Sequence, residues 1–125
     1  MKQDRRLVGV YGSLKKDCYN HEMLGNNAEY LGTDKIWGVM YLTVGGYPRL
    51  FEHDPAKHRE PEQHDLEVYL IDEDNFKEIN SMERMANYAA VNVSTEWGKA
   101  TVYMANPGSY SPSQMPIREY NANAL

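Results

Sequence analysis

Glu83 stands where a carboxylate would lose part of its water. Phe76, Ile79 and Met82 recur at spacings of three, which predicts an apolar stripe on a helix, continued by Met85 or Ala86. Glu83 follows Ile79 by four residues, so it shares that side of the helix. Partial desolvation disfavours the charged form, raises a glutamate's pKa and suits it to proton transfer near neutral pH. A slight rotation of the helix would instead let Glu83 reach water, or pair with Arg84 or Lys77, as edge-of-stripe glutamates commonly do.

The second place where chemistry could sit is Leu7-Val8-Gly9-Val10-Tyr11-Gly12-Ser13-Leu14. Leu7, Val8 and Val10 predict a short strand buried on both faces, broken by Gly12 and Ser13. A strand that ends in a glycine turn can present consecutive backbone N–H groups to an oxyanion or carboxylate, and Gly12, without a Cβ, admits close approach. Taken alone, the segment is also an ordinary strand exit. It is no phosphate loop, because the glycines and lysine of that motif are missing at their spacing.

Other candidates are weaker. His53, His58 and His64, with Asp54, Glu60 and Asp65, match no usual zinc spacing and read as a solvated loop. Cys18 has His21 three residues on but no base or donor placed around it, so no thiol nucleophile is assigned. No metal or organic cofactor is expected.

The elements that must position these residues are mostly strands. Residues 28–33, 36–43, 47–52 and 64–71 read as strands, Gly45-Gly46 as a turn, and 53–63 as an exposed loop. Pro48 lacks an N–H and predicts an edge strand or a strand start. Asp72 is a suitable N-cap, Glu73 and Asp74 place negative charge in the first helical turn, and Asn87 suits the helix end. Residues 88–95 and 99–104 predict a hairpin through Trp97-Gly98. The expected fold is α+β, a small, mixed, mostly antiparallel β-barrel with one principal packed helix. One domain is expected over residues 1–125, with 107–125 an irregular tail.

The ordered set is more specific than its parts. Val10-Tyr11-Gly12-Ser13-Leu14-Lys15, then Asn20 and Leu24, then Gly46-Tyr47-Pro48-Arg49-Leu50, then Glu67-Val68-Tyr69 ahead of Ile71-Asp72 and a helix that carries Glu83 and ends near Tyr88, resembles the gamma-glutamylcyclotransferase-like superfamily. The similarity spans roughly residues 7 to 104, and is greatest to the small members related to gamma-glutamylamine cyclotransferase and the AIG2-like plant proteins. The resemblance implies a pocket at one end of the sheet. There Tyr11, Gly12, Ser13 and Leu14 hold a substrate's carboxylate or carbonyl, and Glu83 is the general acid/base. Tyr47, Tyr88 and Tyr120 are further substrate-binding candidates, Tyr120 as a lid from the tail.

The implied reaction is a cyclisation, of transferase or lyase type. The α-amine of a γ-glutamyl group attacks its own γ-carbonyl, giving 5-oxoproline and a released amine. Tethering supplies up to about 7–11 kcal/mol of the acceleration, so one base and a few donors suffice. The chain departs from the family's usual pattern at Ala90, where Tyr-x-Arg is common, at Glu67, where glycine is favoured, and at Asp17, where a glycine often closes the first loop. A binding module on the same fold, without turnover, is the alternative.

Charge and composition narrow the partners. A net charge of −5 gives no support to nucleic-acid or membrane-surface binding. No apolar run is long enough to span a bilayer, and residues 1–6 lack the apolar core of a signal peptide. One cysteine excludes an internal disulfide and fits a reducing cytoplasm. The expected partner is a small γ-glutamyl compound, with the oligomeric state open.

Overall fold

A computed structural model of the 125-residue chain describes residues 4–12, 14–16, 18, 20–43, 48–56, 58, 60–109 and 114–117. Among the described residues, seven strands and one principal helix form the fold: β1 (Arg5–Val10), β2 (Glu29–Leu42), β3 (Pro48–Phe51), β4 (Glu62–Asp72), α1 (Glu73–Met85), β5 (Tyr88–Thr95), β6 (Gly98–Ala105) and β7 (Met115–Ile117). The strands lie in the order β3-β2-β4-β1-β6-β5, with β7 beside β2. Pairing is antiparallel throughout except between β1 and β6. The mixed, mostly antiparallel sheet is as expected. It is an open sheet and not a closed barrel, since the path runs from β3 at one end to β5 at the other.

β1 sits between β4 and β6; Arg5 and Arg6 at its start are exposed, and Val8, Gly9 and Val10 are buried. Val8 and Val10 pack with Phe76, Ile79, Ile71, Tyr88 and Tyr103 in the layer that α1 covers. Leu66, Val68, Val102, Met40 and Leu50 form the second apolar layer, which partly covers Leu7. Alternation along β4 produces the division: 66 and 68 face one layer, 69 and 71 the other. Gly9 is needed where β1 crosses Leu66, whose Cδ2 lies 2.6 Å from where a Cβ would be.

Several local expectations are revised. The segments expected at 28–33 and 36–43 fall in one long strand, β2, because Asp34 and Lys35, where the sequence suggests a break, pair in unbroken register with Leu66 and Asp65 of β4; the one register shift lies earlier, between Tyr30 and Gly32. The hairpin turn is Glu96-Trp97, with Gly98 already opposite Thr95 in β6. Asp72 occupies the N-cap position, but its carboxylate caps nothing. It accepts from Asn27 Nδ2 at 2.9 Å and lies 3.5 Å from Arg5 Nε. The apolar stripe of α1 stops at Met82: Phe76 and Ile79 are buried, whereas Met85 is 89% exposed and Ala86 is exposed as well. His64 belongs to the strand expected over residues 64–71 and not to the loop of His53 and His58. It is buried in β4, its Nε2 3.1 Å from the Gly38 carbonyl oxygen. Within the segment expected to be irregular, Met115–Ile117 pairs with β2 as β7. Gly45-Gly46 lies outside the described residues.

Candidate functional site

The site is built where β1 ends. Lys15 N–H donates to the Gly12 carbonyl at 3.0 Å, closing a turn directly after the strand. Gly12 passes under β3, where an added Cβ would stand 2.9 Å from Pro48 Cγ. Tyr11 is fixed into the sheet by its phenol, which donates to the Tyr103 carbonyl at 2.6 Å and accepts from Leu50 N–H at 3.4 Å. The loop beyond is tied down twice: His21 Nδ1 lies 2.9 Å from the Leu14 carbonyl oxygen, and Lys16 N–H donates to Glu67 Oε1 at 2.9 Å. Tyr69 donates its hydroxyl to the same Glu67 oxygen.

α1 lies across this turn, and its last turn carries Glu83. The helix ends because Asn87 takes a left-handed conformation (φ 70°), which asparagine tolerates better than most residues. Tyr88 then enters β5 and donates its hydroxyl to the Pro48 carbonyl at 2.5 Å. These pieces enclose a cavity of about 310 Å³, walled by Tyr11, Gly12 and Leu14 from the turn, Met82 and Glu83 from α1, and Tyr88 and Tyr103 from β5 and β6. Asn20, Pro48 and Ala86 complete its rim.

Glu83 is half-buried there, and loss of water pushes its pKa from 4.5 up to about 7. Tyr103 is pushed up to about 12, first by burial and then by the Glu83 charge. Burial drives the Tyr11 phenol well above 10, with Tyr88 and Glu83 adding to it. The cavity therefore holds one group that exchanges protons near neutrality, facing phenols that stay protonated.

The family described as gamma-glutamyl cyclotransferase, AIG2-like matches residues 8–122. The chain belongs to this family. A Pyrococcus horikoshii protein that carries the name putative gamma-glutamylcyclotransferase is 34% identical over 102 residues, covering 82% of this chain and 80% of the relative. The crystal structure of that protein matches with a TM-score of 0.71 at 28% identity, over 90% of this chain and 86% of the other. An AIG2-like protein from Mus musculus shares the fold, with a TM-score of 0.69 at 18% identity over 97% of this chain and 93% of that one.

In this AIG2-like domain, Tyr11, Gly12, Leu14, Tyr88 and Glu83 from the sequence reading all reach one cavity. Ser13, Tyr47 and Tyr120 lie outside the described residues. Sequence reasoning missed Tyr103, Met82 and Ala86 as wall residues, and gave no role to Arg49, which is buried behind Tyr88. A tyrosine in the middle of a strand carries no mark of which cavity it will face, so Tyr103 had no local signal. Arg49 had one: a charged residue directly after Pro48 in a short apolar strand. Cys18 packs half-buried against the apolar layer of Leu66 and Val68. His58 is engaged locally, its Nδ1 accepting from Asp54 N–H at 3.0 Å. Among the described residues, no three His, Cys, Asp or Glu side chains converge as metal ligands, and no helix is long and apolar enough to cross a membrane.

Proposed function

We propose that the chain is a cyclotransferase acting on a small γ-glutamyl compound, releasing an amine and 5-oxoproline, with Glu83 as the general acid/base. The observation that supports this most is the placement of a half-buried carboxyl, raised to about 7, in the same cavity as the Gly12 turn. A carboxylate there takes a proton from the substrate's α-ammonium, and the freed amine attacks the γ-carbonyl five-ring fashion. The attacking nitrogen sheds its second proton to water as it becomes the ring amide, and the bond from the γ-carbon to the leaving nitrogen breaks as Glu83 returns the first proton to that nitrogen. The turn at Tyr11 to Leu14 is suited to hold the substrate's carboxylate or the developing oxyanion. Tyr88 has its hydroxyl committed to Pro48 and contributes shape. A cavity of about 310 Å³ fits a small ligand.

The test is a panel of γ-glutamyl amines and γ-glutamyl peptides assayed by mass for 5-oxoproline. Product from at least one compound, formed about 10²- to 10⁴-fold more slowly by Glu83→Gln while the compound still binds, supports the reading. Normal turnover by Glu83→Gln refutes the role of that residue. Binding without product across the panel favours a module that holds a γ-glutamyl compound and does not cleave it.

A further inference from the structure

Arg49 is 8% exposed on a four-residue edge strand, and a buried guanidinium is costly unless its surroundings compensate it. Its guanidinium carbon lies 5.0 Å from the centroid of the Tyr88 ring, within cation–π range. One of its Nη atoms donates to the Ala86 carbonyl at 3.2 Å. Ala86 is the residue that closes α1: its own N–H donates to the Met82 and Glu83 carbonyls, both at 3.1 Å. Carbonyls at a helix C-terminus lack intrahelical partners and carry the negative end of the dipole, so a cation is favoured there.

Three consecutive residues of β3 thus grip three different walls of the cavity. Pro48 accepts from Tyr88, Arg49 donates to Ala86, and Leu50 donates to Tyr11. The middle grip is the one that reaches α1. An arginine suits it because the flat face can lie on Tyr88 while the edge donates; a lysine offers charge and a donor but no face.

We propose that Arg49 is a positioning residue for Glu83: seated on the Tyr88 ring, it holds the Ala86 carbonyl and so fixes the last turn of α1, with the Glu83 carboxyl, over the Gly12 turn. The proposal rests on the reading of Glu83 given above, but its first test needs no turnover. Among the described residues, the titratable and charged groups that share the cavity with Glu83 are the phenols of Tyr11 from the end of β1, Tyr88 from β5 and Tyr103 from β6, with Arg49 of β3 behind Tyr88.

The experiment is to follow the Glu83 side-chain carboxyl by carbon NMR as pH is varied, in wild type, Arg49→Met and Arg49→Lys, with folding checked by amide spectra. If Arg49 positions the helix end, Arg49→Met lets water reach Glu83 and its titration midpoint falls by about one unit toward the ordinary glutamate range. Arg49→Lys falls less. Losing a positive charge without movement would instead raise the midpoint, so an unchanged or raised value overturns the proposal. Should Arg49→Met fail to fold, Arg49→Lys decides by the same sign. With an identified substrate, kcat in Arg49→Met drops about 10- to 100-fold with little change in KM, and lysine restores part of it. A merely structural role would lower Tm and leave both the titration and kcat in place. If wild type yields no 5-oxoproline from any compound, the cyclotransferase reading fails and the NMR titration still decides the part played by Arg49.

Discussion

Desolvation alone brings the Glu83 carboxyl from 4.5 to about 7, and two measurable consequences follow from that one displacement. On the proposed role of Glu83 as general base, the ionised form is the active one, so kcat/KM should rise about tenfold per pH unit below 7 and level off above it. Glu83→Gln should remove that limb along with about 10²- to 10⁴-fold of the rate, as a pH–rate series on both proteins would show. The second consequence concerns stability. The folded state binds this proton more tightly than the unfolded chain does, so the contribution of Glu83 is fully present below pH 4.5 and is lost as pH rises through about 7. Glu83→Gln should therefore be more stable than wild type at pH 8, by about 1–2 kcal/mol in urea unfolding, and nearly equal to it at pH 5. The half-buried position of Glu83 was one of two readings open in the sequence, because helical periodicity is a local property: Phe76, Ile79 and Met82 fix the face, and Glu83 stands at its edge. The partners that define its surroundings were not legible. Tyr103 and Arg49 come from strands far along the chain, and no spacing rule connects position 49 or 103 to position 83.

Elements convert these side chains into a site by where they stop. β1 was readable from Leu7, Val8 and Val10, and its end at Gly12 is a matter of room under Pro48. Gly12→Ala should force Pro48 aside, raise KM for a γ-glutamyl substrate and cost about 1–2 kcal/mol by denaturant titration. α1 stops through the left-handed turn at Asn87. Asn87→Ala should lose about 1 kcal/mol in the same measurement, whereas Asn87→Gly should stay within a few tenths. That stop was visible in the residue type. The N-terminal cap was misread for an instructive reason: Asp72 is the right residue at the right position, but Arg5 and Asn27, distant in sequence, draw its carboxylate sideways. The length of β2 was hidden likewise, because Asp34 and Lys35 locally resemble a break yet are held in register by Leu66 and Asp65 of a strand about thirty residues away. The cation that meets the Tyr88 ring is Arg49 from β3, distant in sequence from the helix end it serves.

At the scale of the whole molecule, the cavity is a meeting of chain segments from residue 9 to residue 103, held by a sheet that alternates near and distant neighbours. Composition and strand signals were enough to anticipate a mixed sheet with one helix; the open edge between β3 and β5 depends on long-range pairing that no local pattern encodes. Leu66, fully buried against Gly9, tests that packing: Leu66→Ala should cost about 2–5 kcal/mol in urea unfolding. The parallel contact of β1 with β6, Val8 beside Thr101 and Gly9 beside Val102, has a temporal meaning as well. β1 finds this neighbour about ninety residues further along the chain, so during synthesis the turn at Gly12 waits as a half-made feature until β6 has followed it.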